Sequence, residues 1–261
     1  MAEPTPDTPM GAQGSTVNPD EIARFTAMAD AWWDPSGKFR PLHQINPVRI
    51  QFIKDNVCRH FGLDADVELP FKGLDILDVG CGGGLLSEPM ARLGANMTSI
   101  DAGEKNIEIA KVHAEQSGLN INYRNVYPED LAKQGQRFDV VLNMEVIEHV
   151  ADTEAFMAAS ASVLKDTGKG PGGCMALSTI NRNVKSLLLG KVAAEYILRW
   201  LPAGTHDWKK FLKPSELARL VRAHGLEFTD LQGMTYNPFK DAWSLSKTDL
   251  DVNYLAFAEK K

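Results

Sequence analysis

The feature that most constrains this chain is a short apolar run that breaks into closely spaced glycines. Residues 76–84 have the sequence Ile-Leu-Asp-Val-Gly-Cys-Gly-Gly-Gly, and a helix-like segment at 85–92 follows directly. Glycines reach backbone conformations that other residues avoid, and they let a ligand approach the main chain. The free N–H groups that open the next helix favour an anion. The order strand, glycine turn, helix therefore predicts a nucleotide-type site.

The spacing of these glycines indicates which nucleotide binds. A dinucleotide fingerprint that starts at Gly80 and Gly82 needs glycine or alanine at the position of Leu85. The chain instead has Asp78 followed by alternate glycines, which resembles motif I of the Rossmann-like S-adenosylmethionine (SAM) methyltransferases. A carboxylate about 20 residues on, at the tip of the next strand, would bind the ribose hydroxyls. Asp101 lies at that position, so SAM is the expected cofactor.

Composition and charge narrow the possible functions. The chain has 261 residues, of which 44% are apolar, so one α/β domain with additional segments is expected. The net charge is −6 and no Lys- or Arg-rich run occurs, which disfavours a nucleic-acid partner and favours a small-molecule substrate. The 3 cysteines are scattered, without the spacing of a zinc site or a disulfide framework, which suits the reducing cytoplasm.

The domain boundaries follow from composition. Residues 1–18 are rich in Pro, Thr, Gly and Ala and lack the features of a signal peptide, so we expect a disordered tail. Residues 19–261 are expected to form the methyltransferase domain, with an N-terminal helical segment at 19–73 and a helical insertion at 181–213. No apolar run is long enough to cross a membrane.

From residue 74 onward, strand-like and helix-like segments alternate. Alternation of this kind predicts a Rossmann-like, mostly parallel sheet with helices on both faces and ligands beyond the carboxyl ends of the strands. A seven-stranded sheet is expected. Its strands are predicted at 74–79, 96–101, 121–125, 138–143, 174–180, 227–235 and 251–259, and its helices at 85–93, 104–117, 129–134, 152–165 and 214–224.

The N-terminal segment has the pattern of an amphipathic helix. Asn18 and Pro19 fit a helix start, and aromatic residues such as Phe25 and Trp32 then recur at helical spacing. This face either covers core or forms a lid over an apolar substrate, and both are compatible with the pattern. Two prolines within 39–49 predict an irregular stretch there, with a helix at about 48–60.

The insertion after the fifth strand is unusually apolar. Over 184–201, Lys191, Glu195 and Arg199 lie four residues apart on one narrow stripe, and large apolar side chains occupy most of the remainder. The segment either packs against the domain or contacts a membrane surface and shields a lipophilic substrate. We therefore expect a cytoplasmic protein, with peripheral association at the inner face of the membrane as the second alternative.

Polar residues cluster where the fourth predicted strand ends. If Glu145 begins a helical turn, then Glu145, Glu148 and His149 stand at i, i+3 and i+4 on one face. Two carboxylates and one imidazole can hold a divalent cation such as Mg²⁺ or accept a proton. His149 is the candidate proton acceptor.

Several segments, spread over nearly everything after residue 18, together resemble one family. They are Trp32-Trp33-Asp34, residues 41–49, residues 77–84, residues 145–150, Asn181-Arg182-Asn183, Gly204-Thr205-His206-Asp207 and residues 251–254. The chain is similar in these segments to the ubiquinone-biosynthesis O-methyltransferases. The resemblance implies methylation of ring hydroxyls on polyprenyl-catechol and demethylubiquinol intermediates, and SAM contacts at Arg49, Gly80, Asp101 and Met144. Assembly with other enzymes of that pathway stays open.

The chemistry of SAM agrees with those positions. Arg49 can form a charge-assisted bond with the carboxylate of SAM, Gly80 admits the methionyl chain, and Asp101 can accept from the ribose hydroxyls. Met144 would lie beside the adenosine. Two other classes of protein remain as alternatives from sequence: a nicotinamide-dependent oxidoreductase and a non-catalytic module that binds lipid or partner subunits.

Overall fold

The computed structural model describes residues 16, 18–168, 170–187 and 208–261. Its strands are β1 (Asp75–Val79), β2 (Asn96–Ile100), β3 (Asn122–Arg124), β4 (Val140–Met144), β5 (Cys174–Ile180), β6 (Leu226–Asn237), β7 (Ala242–Ser246) and β8 (Asn253–Lys260). Its α-helices are α1 (Pro19–Thr26), α2 (Arg40–Phe61), α3 (Ser87–Arg92), α4 (Glu104–Gln116), α5 (Pro128–Lys133), α6 (Thr153–Ser162), α7 (Val184–Ser186) and α8 (Pro214–Ala223). Short 3₁₀ turns lie at Ala29–Ala31, Ile147–His149 and Trp208–Lys210.

The described strands form one sheet in the order β3-β2-β1-β4-β5-β8-β6-β7. The first five are parallel, and β8, β6 and β7 add in antiparallel fashion. The central strands β4 and β5 are buried along their whole length, as expected for strands that helices cover on both faces. The parallel arrangement brings the carboxyl ends of β1, β2 and β4 to one edge, where the glycine turn begins.

Two apolar cores flank this sheet. One contains Phe156 and Met157 from α6 and Leu217 from α8. The other contains Phe52 and Ile53 from α2 together with residues of α3. Helices on both faces confirm the predicted Rossmann-like architecture. Among the helices of the described segments, none is both long and apolar enough to cross a membrane.

The number of strands differs from the prediction. The sheet has eight strands rather than seven, because β7 forms a hairpin with β6 at the edge of the sheet. This strand is short, and its exposed and half-buried residues alternate, with Trp243 and Leu245 on the inner side. Two serines interrupt the apolar residues of this five-residue strand, so it lacks a continuous apolar run and its sequence resembles that of a connection.

The prediction for residues 39–49 is also wrong, because α2 begins at Arg40 and includes Pro47 in its interior. Pro41 lies in the first turn, where a missing N–H has no effect. Pro47 removes one internal hydrogen bond, and the buried side chains Ile45, Phe52 and Ile53 pack closely enough to hold the helix together across that break.

The N-terminal helix begins as predicted, and the side chain of Asn18 accepts a hydrogen bond from the Asp20 N–H at 3.0 Å. It ends at Thr26, sooner than the aromatic pattern indicates, and a 3₁₀ turn carries the chain to Trp32. The predicted tail at 1–18, apart from residues 16 and 18, lies outside the described residues. Residues 188–207 of the predicted insertion, including Gly204-Thr205-His206-Asp207, also lie outside the described residues.

Candidate active site

The glycine turn after β1 is fixed to the end of β2. Gly80 and Cys81 both donate backbone hydrogen bonds to the Ile100 carbonyl, at 2.8 and 3.0 Å. Gly80 and Gly82 have φ values of +69° and +53°, which side chains rarely allow. A Cβ atom on Gly82 would also overlap the indole ring of Trp32. The turn therefore needs glycine both for its conformation and for the close approach of the N-terminal segment.

Asp101 joins this turn to the start of α4. Its carboxylate accepts from Gly82 N at 2.9 Å, from Gly103 N at 2.7 Å and from Asn106 Nδ2 at 3.0 Å. Burial raises the pKa of Asp101, although the three hydrogen bonds oppose this shift. Asn106 in turn accepts from Trp32 Nε1 at 3.0 Å, which links the N-terminal segment to the same carboxylate. Nothing in the sequence pattern indicated a role for Asn106 in the site.

Asp78 lies at the carboxyl half of β1 and is 3% exposed. Ser87, at the start of α3, donates its hydroxyl to Asp78 Oδ2 at 2.6 Å. Burial raises the pKa of Asp78 to about 7, while the Ser87 hydroxyl and the charge of Arg49 act in the opposite direction. Asp78 therefore changes charge near neutral pH inside the site.

This raised pKa predicts a pH-dependent contribution to stability. The folded chain keeps a proton on Asp78 that the unfolded chain loses near its ordinary pKa of 3.8, so the stabilisation is complete at low pH and is lost as pH rises towards 7. Relative to Asp78→Asn, the wild-type free energy of unfolding should fall by about 3 kcal/mol between pH 5 and 8, mostly below pH 7. Urea unfolding of both proteins at each pH measures this difference, and parallel stability curves would contradict the raised pKa.

Arg49 lies in α2 and is 5% exposed, although arginine is usually found on the surface. Its Nη2 is 3.3 Å from Glu145 Oε1. Within the described part of the chain, Arg49 Nε and Nη2 and Glu145 Oε1 are buried without a hydrogen-bond partner. A buried guanidinium with unused donors is suited to an anionic ligand, because unpaired buried polar groups are unfavourable.

The residues after β4 do not form the predicted helical face. Glu145 has a left-handed φ of +58°, and the 3₁₀ turn at Ile147–His149 begins two residues later. The left-handed conformation directs Glu145 towards Arg49, while Glu148 points into the protein and accepts from Thr179 Oγ1 at 2.9 Å. Left-handed backbone at a non-glycine residue is uncommon and is enriched at functional sites.

Glu148 is buried and His149 is half-buried, and both lie next to negative charge. Burial, together with the charge of Glu145, raises the pKa of Glu148. Burial of the His149 ring lowers its pKa, but the hydrogen bond with Glu21 and the charges of Glu148 and Glu145 outweigh burial and raise it. His149 Nδ1 lies 3.2 Å from Glu21 Oε2, a contact that sequence reasoning missed because Glu21 looks like an ordinary acidic first-turn residue.

The carboxylates that follow β4 meet some of the requirements of a cation site. Among the described residues, no group of three or more His, Cys, Asp and Glu side chains is arranged to hold a metal ion. Glu145 Oε1 and Glu148 Oε1 are nevertheless buried oxygens without a hydrogen-bond partner in the described chain. Carboxylate oxygens are the ligands that Mg²⁺ prefers, so these two residues fit such an ion better than a set that includes His149.

Most of the predicted site residues line one cavity of about 650 Å³. Arg49, Gly80, Asp101, Met144, Glu145 and His149 all line it, while Glu148 lies behind its wall. Apolar side chains from α1, α2 and the β6–β7 hairpin line the rest, including Phe25, Leu42, Met234 and Trp243. The volume falls in the range of about 300–1,000 Å³ that is usual for small-molecule sites. The arrangement can therefore hold a nucleoside-type ligand beside an apolar one.

Comparisons with known proteins agree with this geometry. A methyltransferase-domain family model matches residues 49–231. The magnesium protoporphyrin IX methyltransferase of Synechocystis, solved with S-adenosylhomocysteine, superimposes with a TM-score of 0.58 at 20% identity, covering 93% of this chain and 94% of that one, which shows a shared fold. The fold, the glycine turn and the family match define a SAM-dependent methyltransferase.

Two bacterial relatives define the family more closely. The ubiquinone biosynthesis O-methyltransferase of Cereibacter sphaeroides is 56% identical over 92% of this chain and 96% of its own length. The protein of the same description from Parvibaculum lavamentivorans is 55% identical over 95% of this chain and 96% of its own length. The chain belongs to the ubiquinone biosynthesis O-methyltransferases. It is therefore an enzyme that uses SAM, and both sequence-based alternatives are set aside.

Proposed function

We propose that this chain transfers the methyl group of SAM to ring hydroxyls of polyprenyl catechols and demethylubiquinols and releases S-adenosylhomocysteine. The observation that carries the proposal is that the glycine turn, His149 and an apolar wall line the same cavity. A cofactor against the turn and an aromatic ring against the apolar wall would place the reacting groups side by side. The family described above acts in ubiquinone biosynthesis, which supports a prenylated phenol as the acceptor.

Four residues are assigned to the cofactor in this proposal. Arg49 binds the SAM carboxylate through its unused donors, and Gly80 leaves room for the methionyl chain. Asp101 accepts from the ribose hydroxyls, a role that its position beyond β2 supports. Met144 ends β4, is buried at the cavity wall, and packs against the adenosine.

Methyl transfer needs alignment of the donor and acceptor and a place for one proton. The sulfonium already activates the methyl group, so holding the hydroxyl oxygen in line with it is the main contribution that a protein can make. A phenol-like hydroxyl has an ordinary pKa of about 10, and His149 lies in the cavity as the proton acceptor. The new bond forms between the oxygen and the methyl carbon as the carbon–sulfur bond breaks, and the hydroxyl proton moves to His149.

A divalent cation is a second part of the proposal, held by Glu145 and Glu148. When bound, such a cation would lower the pKa of a catechol hydroxyl that it contacts. One imidazole nitrogen cannot ligate a metal and accept a proton at the same moment, and Nδ1 already pairs with Glu21. We therefore assign His149 to proton transfer and the two carboxylates to the cation.

Purified protein with methyl-labelled SAM and a short-chain prenyl catechol tests the proposal. Label is expected on a ring oxygen, with S-adenosylhomocysteine formed in equal amount. Chelator should slow the reaction and added Mg²⁺ should restore it, and a Glu148→Gln variant should lose this response. Absence of labelled product with Mg²⁺ present would contradict the acceptor class. Full activity in chelator would remove the cation from the mechanism.

Contact of residues 184–201 with a membrane surface is an extension of this proposal, supported by the apolar composition of that segment. Long isoprenoid tails partition into lipid, and a peripheral site would let the enzyme reach them. The same labelling assay, with a long-chain substrate in anionic liposomes, tests the extension. A deletion of 184–201 should lower the rate on the long-chain substrate and spare the short-chain one, whereas equal rates would contradict membrane contact.

A further inference from the structure

The cavity extends well beyond the strands that carry the cofactor residues. Gly80 follows β1, Asp101 follows β2 and Met144 ends β4, and these three strands are neighbours in the sheet. Met234 also lines the cavity, but it lies on β6, four places from β1 in the strand order. Neighbouring strands are about 4.8 Å apart, so about 19 Å separates β1 from β6. The far end of the cavity is therefore distinct from the cofactor end.

The wall at this far end is formed by α2 and the β6–β7 hairpin. Ile45 of α2 and Met234 of β6 are 4% and 2% exposed and belong to one apolar core. Leu42 and Trp243 pack against the same core, and Trp243 is paired with Tyr236 across the hairpin. All five residues line the cavity, and we call them the far wall.

The far wall leads from the interior of the protein to its surface. Along β6 the cavity is lined first by the buried Met234, then by the half-buried Tyr236, and beyond the strand by the exposed Pro238. Towards the start of α2 the lining changes in the same way, from the buried Ile45 to the exposed Lys38. The cavity therefore reaches the surface near the tip of the hairpin.

Polar contacts at the surface join the two elements that form the far wall. The carboxylate of Asp241, in the hairpin turn, accepts from the Tyr236 hydroxyl at 2.6 Å and from Gln44 Nε2 at 3.3 Å. Arg40 Nη2, in the first turn of α2, is 3.7 Å from the same carboxylate. These contacts hold the hairpin against the first two turns of α2, so the far wall lies between two fixed elements.

The N-terminal segment covers the opposite end of the cavity. Helix α1 packs against α4, which follows the cofactor strand β2. Trp32 donates its Nε1–H to Asn106 of α4 at 3.0 Å, and Phe25 packs edge-on against the His149 ring at 5.2 Å between centroids. The aromatic residues of this segment therefore enclose the cofactor end and leave the far wall to another part of the ligand.

We propose that the far wall is the subsite for the first isoprene units of the acceptor, and that the rest of the tail leaves the cavity at the hairpin tip. Isoprene units carry no polar atoms, so their transfer from water to an apolar wall is favourable. The inference rests on the proposed function, because a prenylated acceptor is the ligand that needs this subsite. Leu42 and Met234 then determine specificity for a tailed acceptor over the bare ring.

Kinetics with catechols of increasing tail length test the subsite. In wild type, kcat/KM should rise about tenfold for each of the first two isoprene units, since each unit moves apolar surface out of water. The quantity compared between proteins is the ratio of kcat/KM for the two-unit catechol to that for the tail-free one, because a general loss of activity cancels in it. Met234→Gln and Leu42→Gln should each lower this ratio about tenfold or more, since a buried amide without a partner opposes an apolar ligand.

Met28→Gln is the matched control for these variants. Met28 is also a buried methionine that lines the cavity, but it packs with Trp32 near the glycine turn, so its variant should keep the wild-type ratio. Leu42 is half-buried, and its variant tests the subsite even if Met234→Gln does not fold. A wild-type enzyme that ignores the tail, a wild-type ratio in both far-wall variants, or an equal drop in Met28→Gln would overturn the proposal.

Photolabelling locates the tail without turnover. A phenol with three isoprene units, carrying a diazirine on the second, is irradiated with the protein and S-adenosylhomocysteine, and the labelled peptides are mapped by mass spectrometry. Label is expected within 41–45 and 234–243 and should decrease in Met234→Gln. Label confined to 19–28 or to 188–207 would overturn the proposal. Label at the far wall of a protein that methylates no catechol would support the subsite and contradict the proposed function.

Discussion

Replacement of His149 by alanine is expected to lower the rate of methyl transfer by about 10²- to 10⁴-fold, the usual range for a positioned general base. The ring lines the same cavity as the glycine turn and the apolar wall, and our proposal assigns proton transfer to it. SAM binds elsewhere in the same cavity in our proposal, so its affinity should change by less than about twofold. The loss would then appear in kcat and not in cofactor binding.

A single-turnover assay with labelled SAM measures this rate, and calorimetry with S-adenosylhomocysteine measures cofactor affinity. His224→Ala is a matched control, because His224 also pairs with a glutamate, Glu154, at 2.9 Å but lies outside the cavity. Near-normal single-turnover rates for His149→Ala would remove this residue from proton transfer. A parallel loss in His224→Ala would instead indicate a general effect on stability.

Replacement of Asp101 by alanine is expected to weaken SAM binding by about 10²-fold or more. Hydrogen bonds to a charged group contribute about 1.5–3 kcal/mol each, and loss of the two bonds that our proposal assigns to the ribose corresponds to at least that factor. The same carboxylate accepts from Gly82 N and Gly103 N, so its removal also releases the glycine turn from α4. Both effects act in the same direction on affinity.

Calorimetry with SAM and with S-adenosylhomocysteine measures this change. Asp75→Ala is the control, since Asp75 begins β1 at the opposite edge of the sheet and pairs there with Lys165. The Asp101→Asn variant keeps one acceptor oxygen and should retain part of the affinity. Wild-type affinity in Asp101→Ala, in a protein that unfolds at the wild-type urea concentration, would contradict the assignment of Asp101 to the cofactor.

The elements with strong local patterns were predictable. The strands β4 and β5 come from largely apolar runs, β1 and β2 come from shorter apolar stretches with polar residues among them, and helix-like segments separate them, so their positions agree within a few residues. The glycine turn and the carboxylate after β2 follow from the same alternation, because parallel strands end at one edge. The prediction that Arg49 belongs to the site came only from the family resemblance, since nothing local in the sequence shows that an arginine is buried.

The errors share one cause, which is that tertiary contacts outweighed local preference. The edge strand β7 forms because β6 offers it hydrogen bonds, although the strand is only 5 residues long and two of them are serines. Helix α2 continues through Pro47 because apolar neighbours pack against it. Glu145 adopts a left-handed conformation beside Arg49, so it does not begin the helical turn that the spacing of Glu145, Glu148 and His149 indicates.

The sequence by itself determined the class of sheet, the glycine turn and the family, because these depend on patterns within a few tens of residues. Only the tertiary structure decided which distant groups meet: Trp32 with Asn106, Arg49 with Glu145, and Glu21 with His149. The physical reason is that burial and pairing of charges depend on the environment that the whole chain creates, and spacing along the chain does not report that environment.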